Sequence, residues 1–341
     1  TGGTVADVFQ LNGPNNYKYA DYGMLLPLDD YIANSDVDLS NYSDAMNSLY
    51  NIDGVQYGIP VDWDTIGLWY NKELFDAAGV EYPNENWTWD DLVAAAAAIT
   101  DEANGVYGMA AGYDEQNGLF NTVAAAGGYL VSEDGKTSGF DNEATIKGIK
   151  VWTDLIEAGY SPSNASLTEN PGYVQFMSGK IGMLMAGDWF AATFITDPEF
   201  ATKIDVTMLP TIDGNRASCI HGKANVISSS TEHPDEAWAW VSYLAGAEAN
   251  EIMGKSGAAI PAYLDYAGLF FEAYADYGYN MGVFSQMASE CASAYPTSRG
   301  YNEWATVMFN ELSLAYALEV PVEDACKNIA AQMNEILAAY N

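Results

Sequence analysis

The chain has 341 residues, of which 49% are hydrophobic and 13% aromatic, enough for two lobes with separate cores and too apolar for a disordered chain. Against 12 Lys and Arg stand 47 Asp and Glu, a formal net charge of -35, and no basic cluster is available to displace phosphate counterions, so nucleic acid is excluded as a partner. No stretch approaches the roughly 20 unbroken apolar residues that a membrane span requires.

In chain order, Val5, Val8, Phe9 and Leu11 form a short apolar strand, Asn12 to Asn16 a turn, and Tyr17 to Tyr22 a helix stopped at Gly23. The stretch YGIPVDWDTIGLWYNKELFDAAGV, Tyr57 to Val80, reads as loop, buried strand and a helix closed by Gly79. WTWDDLVAAAAAIT is a helix whose Thr88 and Asp91 have capping-box spacing, and its Ala run predicts close small-residue packing. Gly105 to Gly112 gives a strand, Phe120 to Ala126 a helix, and Asp141 to Ala158 a longer helix ended by Gly159.

In FMSGKIGMLMAGDWF a buried strand, Ile181 to Met185, leads to Gly187, which lets the backbone turn so that Asp188 and Trp189 stand at the strand's carboxyl end. Ligands of open α/β sheets bind at such ends. VTMLPTIDGNRASCIHGKANVISSS reads as two strands around Asp213-Gly214, EHPDEAWAWVSYLAG as a helix, KSGAAIP as a loop, and Tyr263 to Tyr279 as helix with a few exposed rings. Val322, Ala325, Ile329 and Met333 share one face of a final amphipathic helix that also buries Cys326. Trp69, Trp152, Trp238 and Trp240 lie inside apolar patterns and are assigned to packing.

Catalytic patterns are absent: two histidines, His221 and His233, no nucleophile elbow, no zinc-protease motif, no phosphate loop and no EF-hand spacing in the acidic run from Asp114. Three cysteines, an odd number, define no disulfide framework. What the sequence offers instead is aromatics beside amides and acids at strand ends. Sugars present apolar C–H faces rimmed by hydroxyls and need this pairing.

The Tyr57–Val80 stretch and the order strand, Gly, one residue, Trp189 closely resemble extracellular solute-binding proteins of sugar ABC transporters, the family of maltose-binding protein, with blocks in the family's order from Val5 to Leu337. The resemblance implies a periplasmic-binding-protein-like α/β fold of type II character: two α/β lobes joined by a multi-strand hinge around a cleft. Lobe 1 would hold residues 1–64 and 224–275, and lobe 2 residues 65–223 and 276–341. A β-α-β unit normally precedes the first strand in the family, and neither it nor an export signal is in this sequence.

By the same resemblance Trp189 stacks on sugar, with a buried core Trp as the other reading. Asp64, beside Asp62 and Trp63, accepts hydroxyls or caps a turn. Asn12, Gly13 and Asn15 form a ligand-facing turn, although Pro14 and Asn15 stand where an acid and a base are usual. Glu115 and Asn117 match positions that approach the ligand, with Asn117 where an aromatic would stand, and Asp188 is a further ligand candidate at the strand end. His221, Gly222 and Lys223 mark a second lobe crossing, and Arg299 and Trp304 a last ligand loop, with a surface ion pair as the other reading of Arg299.

The implied function is a monomeric, extracellular or periplasmic binding component, anchored as a lipoprotein in some members. It would close on a carbohydrate, an oligosaccharide by this reading, and deliver it to the transmembrane permease subunits without cofactor, metal or bond chemistry. Other ligands weighed are a glycerol-phosphate ester, poorly served by Arg299 and Lys223 alone, and a polyamine, which suits the acidic field. From another class comes a carbohydrate-acting enzyme with paired carboxylates.

Overall fold

Six consecutive apolar or aromatic positions with no polar alternation require cover on both faces of a strand, and Ile66–Asn71 is buried at all six. In the structure, a computed structural model that describes residues 5–340, this strand lies inside a four-stranded sheet. It runs antiparallel to Ile181–Gly187 on one side and to Ile204–Thr207 on the other, and Tyr107–Met109 extends the sheet parallel to Ile181–Gly187. The sheet belongs to one of two units into which the chain divides, comprising Thr65–Cys219, Tyr277–Pro296 and the chain from Asn302 onward. At its centre the Trp69 ring, fully buried, meets Phe194 edge-on at 5.0 Å and Tyr279 at 5.6 Å.

Local chemistry sets the helix ends. The Asn71 side chain accepts from the amides of Glu73 and Leu74 and starts Lys72–Ala78, and Gly79, at φ 67°, ends it. Thr88 and Asp91 form the capping box: the Asp91 amide donates to Thr88 Oγ1 at 3.2 Å and the Thr88 amide to Asp91 Oδ2 at 2.8 Å. The helix they open, Trp89–Ile99, carries the Ala run, and Ala95 and Ala96 are buried. A Cβ added at Gly108 would lie 2.2 Å from the Ala96 Cα, so small residues on both sides let this helix sit directly on the neighbouring strand.

The other unit holds the described chain up to Asp64 with Ile220–Asp276 and Thr297–Tyr301. Its antiparallel sheet has Val8–Asn12 at one edge, Lys223–Ile227 in the middle and Gly58–Pro60 at the other edge, with Asn12 opposite Lys223 and Pro60 opposite Ala224. Trp238, Val241 and Ala245 of the helix Pro234–Ala245 pack with Leu28, Tyr42, Ile59 and Ile227.

Three expectations are corrected. Trp240 is not a packing residue: Trp238, Val241 and Ala245 occupy the inner face of their helix, which leaves Trp240 52% exposed and stacked on Tyr243. KSGAAIP is not all loop, since the helix Ala247–Ser256 runs through its first two residues before Gly257 at φ 67°, and Ile260–Pro261 pair with Asp62–Trp63. The segment from Tyr263 is broken into Leu264–Tyr266, Ala267–Ala273 and Ala275–Tyr277, because its aromatics anchor to different neighbours, Tyr274 donating to the Gly257 carbonyl at 2.7 Å.

Cys326 is fully buried as read, and burial pushes its thiol up to about 12. No helix among the described residues is long and apolar enough to cross a membrane.

The contact at Gly108 gives a test. Gly108→Ala places its methyl against backbone that cannot rotate away, so it should destabilise the unit by about 1–3 kcal/mol and lower the urea midpoint. An unchanged midpoint would contradict this packing.

Candidate functional site

The strand Ile181–Gly187 delivers its carboxyl end to a group of residues contributed by distant segments. A Cβ at Gly187 would fall 1.8 Å from Trp189 Cζ3, so the indole lies flat against the glycine, a position that no other residue permits. Trp189 is half-buried and Asp188 buried. The Gly187 amide donates to Asn117 Oδ1 at 3.1 Å. Asp114 in turn orients Asn117, accepting from its amide at 2.8 Å and from Nδ2 at 2.9 Å. Glu115–Leu119 form a π-helical turn, a widened geometry common at functional sites.

Within the same unit the Tyr113 hydroxyl donates to Glu115 Oε1 at 3.0 Å. Beside it opens a cavity of about 290 Å³ whose walls include Tyr113, Tyr173 and Phe190. The fold thus sets Asn117 against the strand end that carries Asp188 and Trp189, with Glu115 in the same turn as Asn117, and adds three rings that the sequence reading missed. Their only signals are position: Tyr113 follows Gly112 past a strand end, Tyr173 opens a helix after Pro171, and Phe190 follows Trp189. Trp304, also in this unit, is fully buried, so its ring offers no exposed face.

The remaining predicted residues lie in the other unit. Asn12 ends the edge strand exposed, and Gly13–Asn15 make one tight turn in which Gly13 abuts the Leu49 side chain. Trp63 is buried, paired opposite Ile260. Asp64 and His221 bridge through their backbones at 2.8 and 3.3 Å, with Asp64 Oδ2 3.7 Å from His221 Nδ1. The Gly222 carbonyl accepts from the Tyr50 hydroxyl at 2.7 Å.

Arg299 forks onto Asp21 at 2.9 and 3.0 Å, reaches Asp53 at 2.7 Å, and has its guanidinium 5.4 Å from the Tyr17 ring centre. Those carboxylates raise its pKa, and its forked donors are spent on an internal ion pair. Among the described residues no group of three His, Cys, Asp or Glu is placed to hold a metal.

Asp62 is a buried acid of this unit. Its Oδ1 accepts from the Lys223 amide at 2.8 Å and its Oδ2 lies 2.9 Å from Lys223 Nζ. Burial nonetheless raises its pKa, because the Lys223 side chain is 42% exposed and water weakens its pull. The folded chain therefore holds this proton more tightly than the unfolded chain, and Asp62 makes stability fall as pH rises from 3.8 through its own titration. Asp62→Asn keeps an acceptor for the amide and removes the charge, so its urea midpoint should gain on the wild type as pH rises across that window. A difference independent of pH would contradict the assignment.

Comparison with known proteins now places the chain. A family profile described as bacterial extracellular solute-binding protein matches residues 1–251. An arabinooligosaccharide-binding protein of Halalkalibacterium halodurans is 28% identical over 230 residues, 64% of this chain and 49% of that protein, so the match spans about half of that relative's length. Among solved structures, the ABC substrate-binding protein Lmo0181 of Listeria monocytogenes, in complex with cycloalternan, aligns with a TM-score of 0.91 at 26% identity, covering 99% of this chain and 86% of that one. The GacH receptor of Streptomyces glaucescens, solved unliganded and with acarbose, aligns at 0.85 and 25% identity, covering 99% and 85%. The chain belongs to the bacterial extracellular solute-binding proteins and has their periplasmic-binding-protein-like α/β fold.

Proposed function

We propose that this chain is the substrate-binding component of a carbohydrate ABC importer, acting outside the cytoplasmic membrane, and that it hands a bound sugar to the permease subunits without making or breaking a bond. The observation that carries the reading is the Trp189 indole laid against Gly187 at the end of a buried strand, beside Asn117 and the adjacent Asp188. An aromatic face flanked by amide and carboxylate groups matches the C–H face and hydroxyl rim of a pyranose or furanose ring. The pairing needs no metal, cofactor or nucleophile. The named ligands of the similar proteins, arabinooligosaccharide, cycloalternan and acarbose, support the class.

Thermal unfolding against mono- and oligosaccharides, glycerol phosphates and polyamines tests it. A bound ligand at 100 times its dissociation constant stabilises the folded chain by about 2.7 kcal/mol. We expect the hit to be a sugar, recovered unaltered after incubation, and the shift to be lost in Trp189→Ala. A shift only with phosphates or polyamines, or consumption of the sugar, would contradict the proposal.

A further inference from the structure

We infer that Asn117, which its sequence position places among the ligand contacts, is instead a positioning residue: together with Asp114 it locks the strand end at Gly187 and so sets the Trp189 ring before any ligand arrives. The inference rests on the carbohydrate reading above and refines it, since Asn117 then holds the aromatic face rather than meeting the sugar. Both amides of Asn117, main-chain and side-chain, are committed to the protein. The backbone amide donates to Asp114 Oδ1 at 2.8 Å, Nδ2 donates to Asp114 Oδ2 at 2.9 Å, and Oδ1 accepts from the Gly187 amide at 3.1 Å.

Strand pairing explains why a side chain acts there. Tyr107–Met109 runs parallel to Ile181–Gly187 only as far as Met109 opposite Met183, and the Ala110 amide donates to the Met183 carbonyl at 3.1 Å. Gly187 lies beyond that point, and the acceptor for its amide comes from Asn117 rather than from a strand. A backbone amide in a buried strand needs an acceptor, and the group that supplies it also fixes the peptide plane. The Trp189 indole covers this same glycine so closely that a Cβ there would lie 1.8 Å from Cζ3. Any turn of the Gly187 peptide therefore tilts or releases the ring.

The turn that carries Asn117 is itself held from several directions. Asp114 caps its start. Asn121 Nδ2 donates to the Gln116 carbonyl at 2.7 Å, while Asn121 Oδ1 accepts from the Cys219 amide at 2.7 Å. Gly118 sits on the buried Trp152 ring, where a Cβ would meet Cζ2 at 3.3 Å. A turn anchored in this way can hold a strand end still. Order already present in the free chain does not have to be created on binding, which is how a residue that touches no ligand raises affinity.

Fluorine NMR of the full chain labelled with 5-fluorotryptophan tests this without any ligand. The Trp189 resonance, identified by its absence in Trp189→Phe, should move in Asn117→Ala and in Asp114→Ala, and no further in the double variant, because the two residues act as one chain. Asp114→Asn, which removes the charge without opening a cavity, should move it part of the way. The resonance of the fully buried Trp69, identified through Trp69→Phe, should stay in place, which separates a local release from a folding defect.

Calorimetry with maltotriose and arabinotriose reads the consequence. Whichever sugar binds should bind Asn117→Ala and the double variant equally, each roughly three- to tenfold more weakly than the wild type. Lost affinity with the Trp189 resonance unmoved, or additive losses in the double variant, would overturn the inference and make Asn117 a sugar contact, leaving the carbohydrate reading intact. A resonance that moves as expected in a chain whose wild type binds no neutral sugar would support the clamp and overturn the carbohydrate reading.

Discussion

The close contact between the Trp189 indole and Gly187 is the constraint on which the end of the strand Ile181–Gly187 depends. With the ring lying where a Cβ would otherwise stand, the strand Ile181–Gly187 can be buried along its whole length and still end on an aromatic face. The same glycine donates its amide to Asn117, so the strand end fixes both the ring and the neighbouring amide. Asp114 extends this order one step outward, holding Asn117 from two sides, and Phe190 extends it sideways to Phe194 and the core. A flat ring and a few fixed polar atoms thus meet at the sheet's carboxyl end, the chemistry a sugar's C–H face and hydroxyl rim would pair with.

The scarcity of cations shapes the rest of the chain. With 12 Lys and Arg among 47 acids, the bases whose ion pairs are seen are engaged close to the fold. Lys223 pairs with the buried Asp62, Arg299 joins Asp21 to Asp53, and Lys203 bridges Glu73 and Glu199. Exposed pairs such as Lys203 with Glu199 are screened by water, so these contacts fix local geometry more than they hold the fold. Arg299, half-buried and forked onto two acids across a tyrosine face, sets the position of the Thr297–Tyr301 segment within its unit.

Much of this was legible in the sequence where a short-range rule decides the outcome. An unbroken apolar run became a strand buried on both faces, Thr88 with Asp91 formed their box, and strand-Gly-x-Trp placed Trp189. Asn117 and Asp188 reached the same strand end because the blocks come in a known order. Tyr113, Tyr173 and Phe190 were not legible, since their cavity is made by three segments far apart in sequence and no spacing rule links them. The periodicity of the helix Pro234–Ala245 identified its buried face but not which tryptophan lay outside it, hence the misreading of Trp240. The ion pair of Arg299 was open in the sequence as one of two readings, and its partners Asp21 and Asp53, over 200 residues away, could not be found there.

The most direct test of the account is saturation-transfer NMR of a neutral oligosaccharide in excess over the intact chain, followed over hours. The account predicts transfer concentrated on the C–H protons of one ring face, lost in Trp189→Ala, with the sugar's anomeric signals unchanged in number and intensity. Uniform transfer that survives the loss of Trp189, or new anomeric signals growing with time, would contradict it.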